Sequence, residues 1–147
     1  MNNSTYEEQI EQHGSLIYTN VGDSMWPLLH EGRDLMVIDK KPEGRMKKYD
    51  AILYKRPCGK YIMHRILKVR QDDYVLCGDN RWLREFGVKD EWILGVLTAV
   101  VRKGKRVSVT SWKYRLYVHI WCDFYWIRAF ILRGWGVLRK IVRKIVK

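Results

Sequence analysis

AILYKRPCGKYIMHRILKV, residues 51–69, holds two β-like runs joined at a turn. Ala51–Lys55 and Tyr61–Val69 are rich in the branched and aromatic residues that pack well on a pleated surface. Pro57-Cys58-Gly59 between them supplies a fixed φ and a glycine, which together reverse a chain. The stretch therefore reads as a β-hairpin. Strand alternation places Ile62, His64 and Ile66 on one face of its second strand.

Similar short runs lie to either side. Leu16–Val21 precedes the hairpin, as does Asp34–Ile38, which follows Gly32. Tyr74–Cys77 comes after it, closed by Gly78-Asp79-Asn80. Ile93–Arg102 and Arg106–Thr110 flank Lys103-Gly104-Lys105, a second hairpin. Tyr6 to His13 reads as a short polar helix ending at Gly14. The expectation is a mainly β, compact antiparallel or mixed domain over residues 15–110. A short polar segment, residues 1–14, precedes it, and a basic amphipathic helical tail, residues 111–147, follows. A chain of 147 residues suits one domain of about 100 residues with an appendage.

The formal net charge of +12 is unevenly placed. Residues 1–100 carry 15 Lys+Arg and 15 Asp+Glu, while residues 101–147 carry 13 cations and the single acid Asp123. A neutral domain bears a cationic tail, which argues against a nucleic-acid-binding domain. Cys58, Cys77 and Cys122 are an odd set with no CxxC, so neither a disulfide framework nor a zinc ribbon is expected, and a reducing compartment fits. No metal-ligand or nucleotide-binding spacing occurs, so no cofactor is expected. The polar N-terminus has no apolar h-region, so neither a secretory signal nor an N-terminal span is expected.

Three features carry possible chemistry. In Gly22-Asp23-Ser24-Met25-Trp26-Pro27-Leu28-Leu29 a serine sits at a forced bend, where its hydroxyl can be exposed and backbone N–H groups can converge on an oxyanion. The same residues also make an ordinary capped turn. His64 reads either as a core histidine satisfied by a carbonyl or as a general base, imidazole being the side chain that titrates near neutral pH. Gly78-Asp79-Asn80, followed by Glu85, is a good turn, but it also supplies the carboxylate that a Ser–His pair needs to fix the imidazole tautomer.

Together these residues resemble the superfamily of signal peptidase I and the LexA-like self-cleaving serine peptidases. The likeness runs over roughly residues 15–109. It is carried by the Ser-Met-x-Pro box at Ser24, by Tyr49-Asp50-Ala51-Ile52-Leu53-Tyr54, by His64-Arg65-Ile66, by Gly78-Asp79-Asn80 and by Ile93-Leu94-Gly95-Val96-Leu97. Gly32-Arg33-Asp34 after the box resembles a group of small bacterial peptidases of this superfamily. The resemblance implies a β-rich domain with endopeptidase activity on a peptide or protein precursor. It assigns Ser24 as nucleophile and His64 as general base, a position that is lysine in typical bacterial members and histidine in the endoplasmic-reticulum, archaeal and spore-former type. In that type an acid six residues past the Gly-Asp aspartate completes the site, which is Glu85 here; Asp79 is the aspartate itself, and both are candidates. Gly22, Asp23, Met25 and Trp26 would border the oxyanion hole and the substrate, and Met25 and Trp26 read equally as side chains that pack the bend. Gly22 departs from the family, which often has a hydroxyl at that position. No anchor before Ser24 and no helix-turn-helix is expected from the 14 polar residues that lead the sequence. A catalytically inactive peptide-binding or membrane-scaffold module of the same fold is the alternative.

The tail has its own pattern. At about 100° per residue, Arg128, Arg133, Arg139, Lys140, Arg143, Lys144 and Lys147 fall on one side of a helical wheel. Ile127, Phe130, Ile131, Trp135, Leu138, Ile141, Val142 and Ile145 fall on the other. Gly134 and Gly136 predict a break. The split favours a helix lying in the plane of an anionic membrane surface, with Arg128, Arg133, Trp135, Arg139, Lys140, Arg143 and Lys144 as contacts. A span, or a helix docked on the domain, are the competing readings. The expected location is cytoplasmic and peripheral at the membrane, with the oligomeric state open.

Overall fold

The computed structural model describes residues 5–145. Residues 1–4 of the polar N-terminal segment, and Lys147 of the basic face, lie outside the described residues.

The chain is mainly β. Helix α1 (Tyr6–His13) leads into β1 (Ser15–Thr19), β2 (Asp34–Lys40), β3 (Ala51–Lys55), β4 (Tyr61–Val69), β5 (Tyr74–Cys77), β6 (Glu85–Val88), β7 (Ile93–Arg102) and β8 (Lys105–Ser108), with a single 3-10 turn at Asp90–Trp92 before β7. Helices α2 (Trp112–Asp123) and α3 (Tyr125–Ile145) close the chain. All eight strands join one antiparallel sheet in the order β1-β2-β7-β3-β4-β5-β6, with β8 on β7. β7 is the hub: β2 runs along one side, while β3 and β8 take successive halves of the other. Gly95 lets β2 and β7 approach there, because a Cβ would stand 2.6 Å from the Asp39 carbonyl oxygen.

The sheet curls enough to bury both faces of its middle strands. Ala51, Leu53 and Met63 belong to one apolar cluster with Met25, Leu29 and Leu97. Ile52, Tyr54 and Ile66 belong to a second with Tyr74, Leu76 and Ile93. The alternation along β3 thus divides two cores rather than a core from solvent, and its first four residues are all buried.

Thr5 and Glu8 cap α1 reciprocally. Ile10 enters the first core, and Glu7 is bonded by Lys55 and Tyr61 of the hairpin. The predicted hairpin pairs as expected, with Ile52 opposite His64 and Tyr54 opposite Ile62. β6 was not expected from the sequence.

The C-terminal segment begins where the composition changes, with Ser111 capping α2. α2 lies on the domain through Tyr114, Val118 and Cys122. The helix break falls at Phe124, not at Gly134 and Gly136, through which α3 continues unbroken. Beyond Arg128, α3 leaves Phe130, Ile131, Trp135, Ile141 and Ile145 exposed. No helix among the described residues is long and apolar enough to cross a membrane.

Candidate active site

The serine turn is fastened from below. Met25 and Leu29 are 0% exposed in the first core, and Leu29 N–H donates to Met25 O. Gly22 has φ 81°, in the left-handed region that disfavours side chains, which gives a physical reason for glycine in place of a hydroxyl residue. Asn20 Nδ2 donates to Gly22 O at 2.9 Å. The Trp26–Pro27 bond is cis. Asp34, fully buried, takes hydrogen bonds from Arg33, Arg102 and His30 N–H, and Arg102 also donates to Leu28 O at 2.7 Å. Burial opposes the Asp34 charge, but these donors hold its carboxyl well below the usual range. The aspartate of Gly32-Arg33-Asp34 therefore closes the loop that carries the serine.

His64 comes from the middle of β4, and its two nitrogens face different groups. On the Nδ1 side stand Tyr54 Oη at 3.4 Å and Glu85 Oε2 at 3.6 Å. On the Nε2 side lies Gly78: a Cβ there would meet Ser24 O at 2.6 Å and His64 Nε2 at 3.1 Å. Only a glycine lets the serine turn and the imidazole close around that point. Ser24, His64, Gly22, Asp23, Tyr61 and Arg81 border one open cleft of about 800 Å³. The Ser24 hydroxyl makes no hydrogen bond to His64 among the described residues, and the Ser24 and Met25 N–H groups donate to no protein acceptor there.

Glu85, at the start of β6, is bound by Tyr54 Oη at 2.5 Å and by Arg56 through Nε at 2.8 Å and Nη2 at 2.6 Å. Burial alone would raise its pKa. The nearby His64 ring and the hydrogen bonds from Arg56 and Tyr54 outweigh that and bring it to about 2. Burial, with the Glu85 carboxylate beside it, pushes Tyr54 far up, so it stays a neutral donor.

Asp79 lies elsewhere. It is 0% exposed and forms a two-pronged pair with Arg65, Nε–Oδ1 and Nη2–Oδ2 both at 2.8 Å. Tyr117 also donates to its Oδ2 at 2.8 Å. Arg65 reaches on to Tyr49 O and Tyr114 Oη. Of the two candidate acids, Glu85 meets the histidine, and Asp79 is committed to a buried ion pair that ties β4 to α2.

Other expected contacts are corrected. The Met25 side chain does not line the Ser24–His64 cleft but packs into the core beneath the turn, where it anchors the bend, so of Met25 only the backbone N–H stays beside the serine. Trp26 lies across from α3, bordering a second cavity of about 500 Å³ with Asp23, Trp121, Ile131 and Trp135. Arg128 is not on an outward basic face: it is 2% exposed, stacked 4.9 Å from the Tyr125 ring centroid, and donates to Arg81 O and Cys77 Sγ. At the start of α3 the helix still packs on the domain, so its first cation is captured there. Arg133, Trp135, Arg139, Lys140, Arg143 and Lys144 are exposed. Among the described residues no group of three His, Cys, Asp or Glu side chains could hold a metal ion.

Tyr54 and Arg56 were missed by sequence reasoning. Tyr54 was legible in principle, since alternation sets it beside Ile52, on the His64 face. Arg56 offered no signal beyond its place at the end of β3. Neither a protein-family model, nor a curated protein, nor a solved structure matches the chain.

Proposed function

We propose that the protein is a serine endopeptidase that cleaves a peptide or protein precursor through an acyl-enzyme. The observation that carries this reading is the two-sided setting of His64, with Glu85 and Tyr54 at Nδ1 and the Ser24 turn at Nε2. Glu85, ionised and fixed by Arg56, favours the tautomer with hydrogen on Nδ1, which leaves Nε2 free to accept a proton. With substrate in the cleft, His64 takes the Ser24 proton as Ser24 Oγ attacks the scissile carbonyl. The unused N–H groups of Ser24 and Met25 are the candidate donors to the oxyanion. His64 then protonates the leaving amine, and water, activated by the same imidazole, hydrolyses the ester. The step needs a hydrogen bond between Ser24 Oγ and His64 Nε2, a contact that in such sites commonly tightens when substrate binds.

Ser24 makes no hydrogen bond to His64 among the described residues, which favours a second reading, a peptide-binding module of the same architecture without catalysis. An activated peptide ester separates the two. Mass spectrometry of the Ser24-containing fragment after acid quench is expected to show an acyl adduct that His64→Ala abolishes. An adduct of equal yield in His64→Ala, or none in the wild type, counts against catalysis.

The same reading places the protein at an anionic membrane surface through α3. Its support is the exposed face bearing Phe130, Ile131, Trp135, Ile141 and Ile145 beside the exposed cations Arg139, Lys140, Arg143 and Lys144.

A further inference from the structure

The loop between β5 and β6 is gripped from two sides. On its inner side it holds the serine turn: Asn80 N–H donates to Ser24 O at 2.8 Å, Asn80 Nδ2 to Asp23 Oδ2 at 3.3 Å, and Arg81 Nη2 to Asp23 Oδ1 at 2.7 Å. On its outer side it meets Tyr117, Trp121, Tyr125 and Arg128. Tyr117 and Trp121, four residues apart, share a face of α2, and Tyr125 and Arg128, three apart, share a face of α3 beyond the break at Phe124. Tyr117 donates to the Asp79 carboxylate at 2.8 Å, Trp121 Nε1 to Asp79 O at 2.7 Å, Tyr125 to Trp82 O, and Arg128 Nη2 to Arg81 O at 3.2 Å.

Two continuous routes result. Trp121 holds the carbonyl of Asp79, and the next N–H, that of Asn80, holds Ser24 O. Arg128 holds the carbonyl of Arg81, whose guanidinium holds Asp23, the neighbour of Ser24. Arg128 is buried over the Tyr125 and Trp121 rings, and its Nε and Nη1 have no hydrogen-bond partner among the described residues, a costly state for a guanidinium when an apolar side chain could fill the same space. The aromatic rings alone would dock the helices. What the arginine adds is its grip on the loop.

We infer that the α2–α3 segment is a clamp that positions Ser24, with Trp121 and Arg128 as positioning residues. The cationic C-terminal segment is then part of the active-site framework as well as a candidate surface anchor. Neither residue borders the Ser24–His64 cleft. The inference rests on the proposed peptidase for its kinetic consequence, but not for its structural one.

Trp121→Phe keeps the ring stacked on Tyr117 and removes only the donor. Arg128→Met keeps the volume and removes the bonds to Arg81 and Cys77. In the full chain, both variants are expected to exchange the Asn80 amide hydrogen at least about tenfold faster while the β3–β4–β7 amides keep their protection. Both are expected to lower kcat on a peptide substrate by about 10- to 100-fold with KM changed less than about twofold. Arg128→Lys, which retains a donor, recovers part of the loss. The exchange measurement needs no substrate. Faster Asn80 exchange supports the clamp even if the wild type cleaves nothing, and unchanged exchange overturns it even if the wild type is an active peptidase. Loss of kcat only in proportion to global unfolding also overturns it.

Discussion

Glu85 Oε2 stands 3.6 Å from His64 Nδ1, and Tyr54 donates to that same oxygen at 2.5 Å. The acid is thus shared between the imidazole, a phenol and the Arg56 guanidinium. An acid so bound can hold a ring in place and balance its charge, but it is poorly suited to taking the proton itself. Glu85→Gln should therefore leave the fold intact and lower kcat by roughly two to four orders of magnitude. Steady-state kinetics with circular dichroism as the folding control checks this.

Asp79→Asn should behave differently. It strands a fully buried Arg65, a change that typically costs about 3–5 kcal/mol of stability. Urea unfolding should show a lowered midpoint, with activity lost through unfolding rather than through kcat of the folded fraction. An unfolding midpoint equal to that of the wild type would show that the Arg65–Asp79 pair does not hold the fold as described.

The depressed pKa of Glu85 fixes the sign of one pH effect. Its pKa falls from an ordinary 4.5 to about 2 on folding, so the unfolded chain binds the proton more readily. The stabilisation is present above about pH 4.5 and fades as pH drops toward 2. Unfolding free energies measured from pH 6 to pH 2 should therefore fall less steeply in Glu85→Gln than in the wild type. Parallel curves would mean that the carboxylate is not held as described.

Gly78→Ala introduces a methyl 2.6 Å from the backbone Ser24 O, closer than a Cβ can approach, and 3.1 Å from His64 Nε2, a tight contact. The serine turn and the imidazole must separate to admit it. The expected result is a loss of about 100-fold in kcat with a modest change in thermal midpoint. Unaltered kinetics would show that the two groups need not meet across Gly78.

The surface reading of α3 predicts ionic-strength-dependent binding. Each cation near an anionic lipid surface contributes about 1 kcal/mol. Replacing Arg139, Lys140, Arg143 and Lys144 by glutamine should abolish co-sedimentation with phosphatidylglycerol vesicles at low salt, while Arg128→Met, an already buried position, should leave it nearly unchanged. Equal sedimentation of both variants would place the contact elsewhere.

Much of the β domain was legible because its runs carry their own punctuation. Pro57-Cys58-Gly59 and Lys103-Gly104-Lys105 mark two turns, and Gly14 ends α1 in the left-handed conformation. β6 was hidden because Glu85-Phe86-Gly87-Val88 has neither length nor β-branched density, and Gly87 at φ 76° interrupts it; pairing with β5 makes it a strand. The choice between Asp79 and Glu85 was also beyond local pattern. It depends on Arg65 and Tyr117 claiming one acid and Tyr54 and Arg56 delivering the other, contacts between residues 14 to 38 positions apart. The helical wheel grouped Arg128 with the outer cations correctly by angle, but angle alone does not say where the domain ends and solvent begins.

The central claim is that Ser24 and His64 cleave a peptide bond together. Incubation of an unstructured polypeptide mixture with wild type, Ser24→Ala and His64→Ala, followed by mass spectrometry of new termini, tests it most directly. Defined new termini in the wild type, absent from both variants, are predicted. Identical termini at equal rates in all three proteins, or none in any, would contradict it.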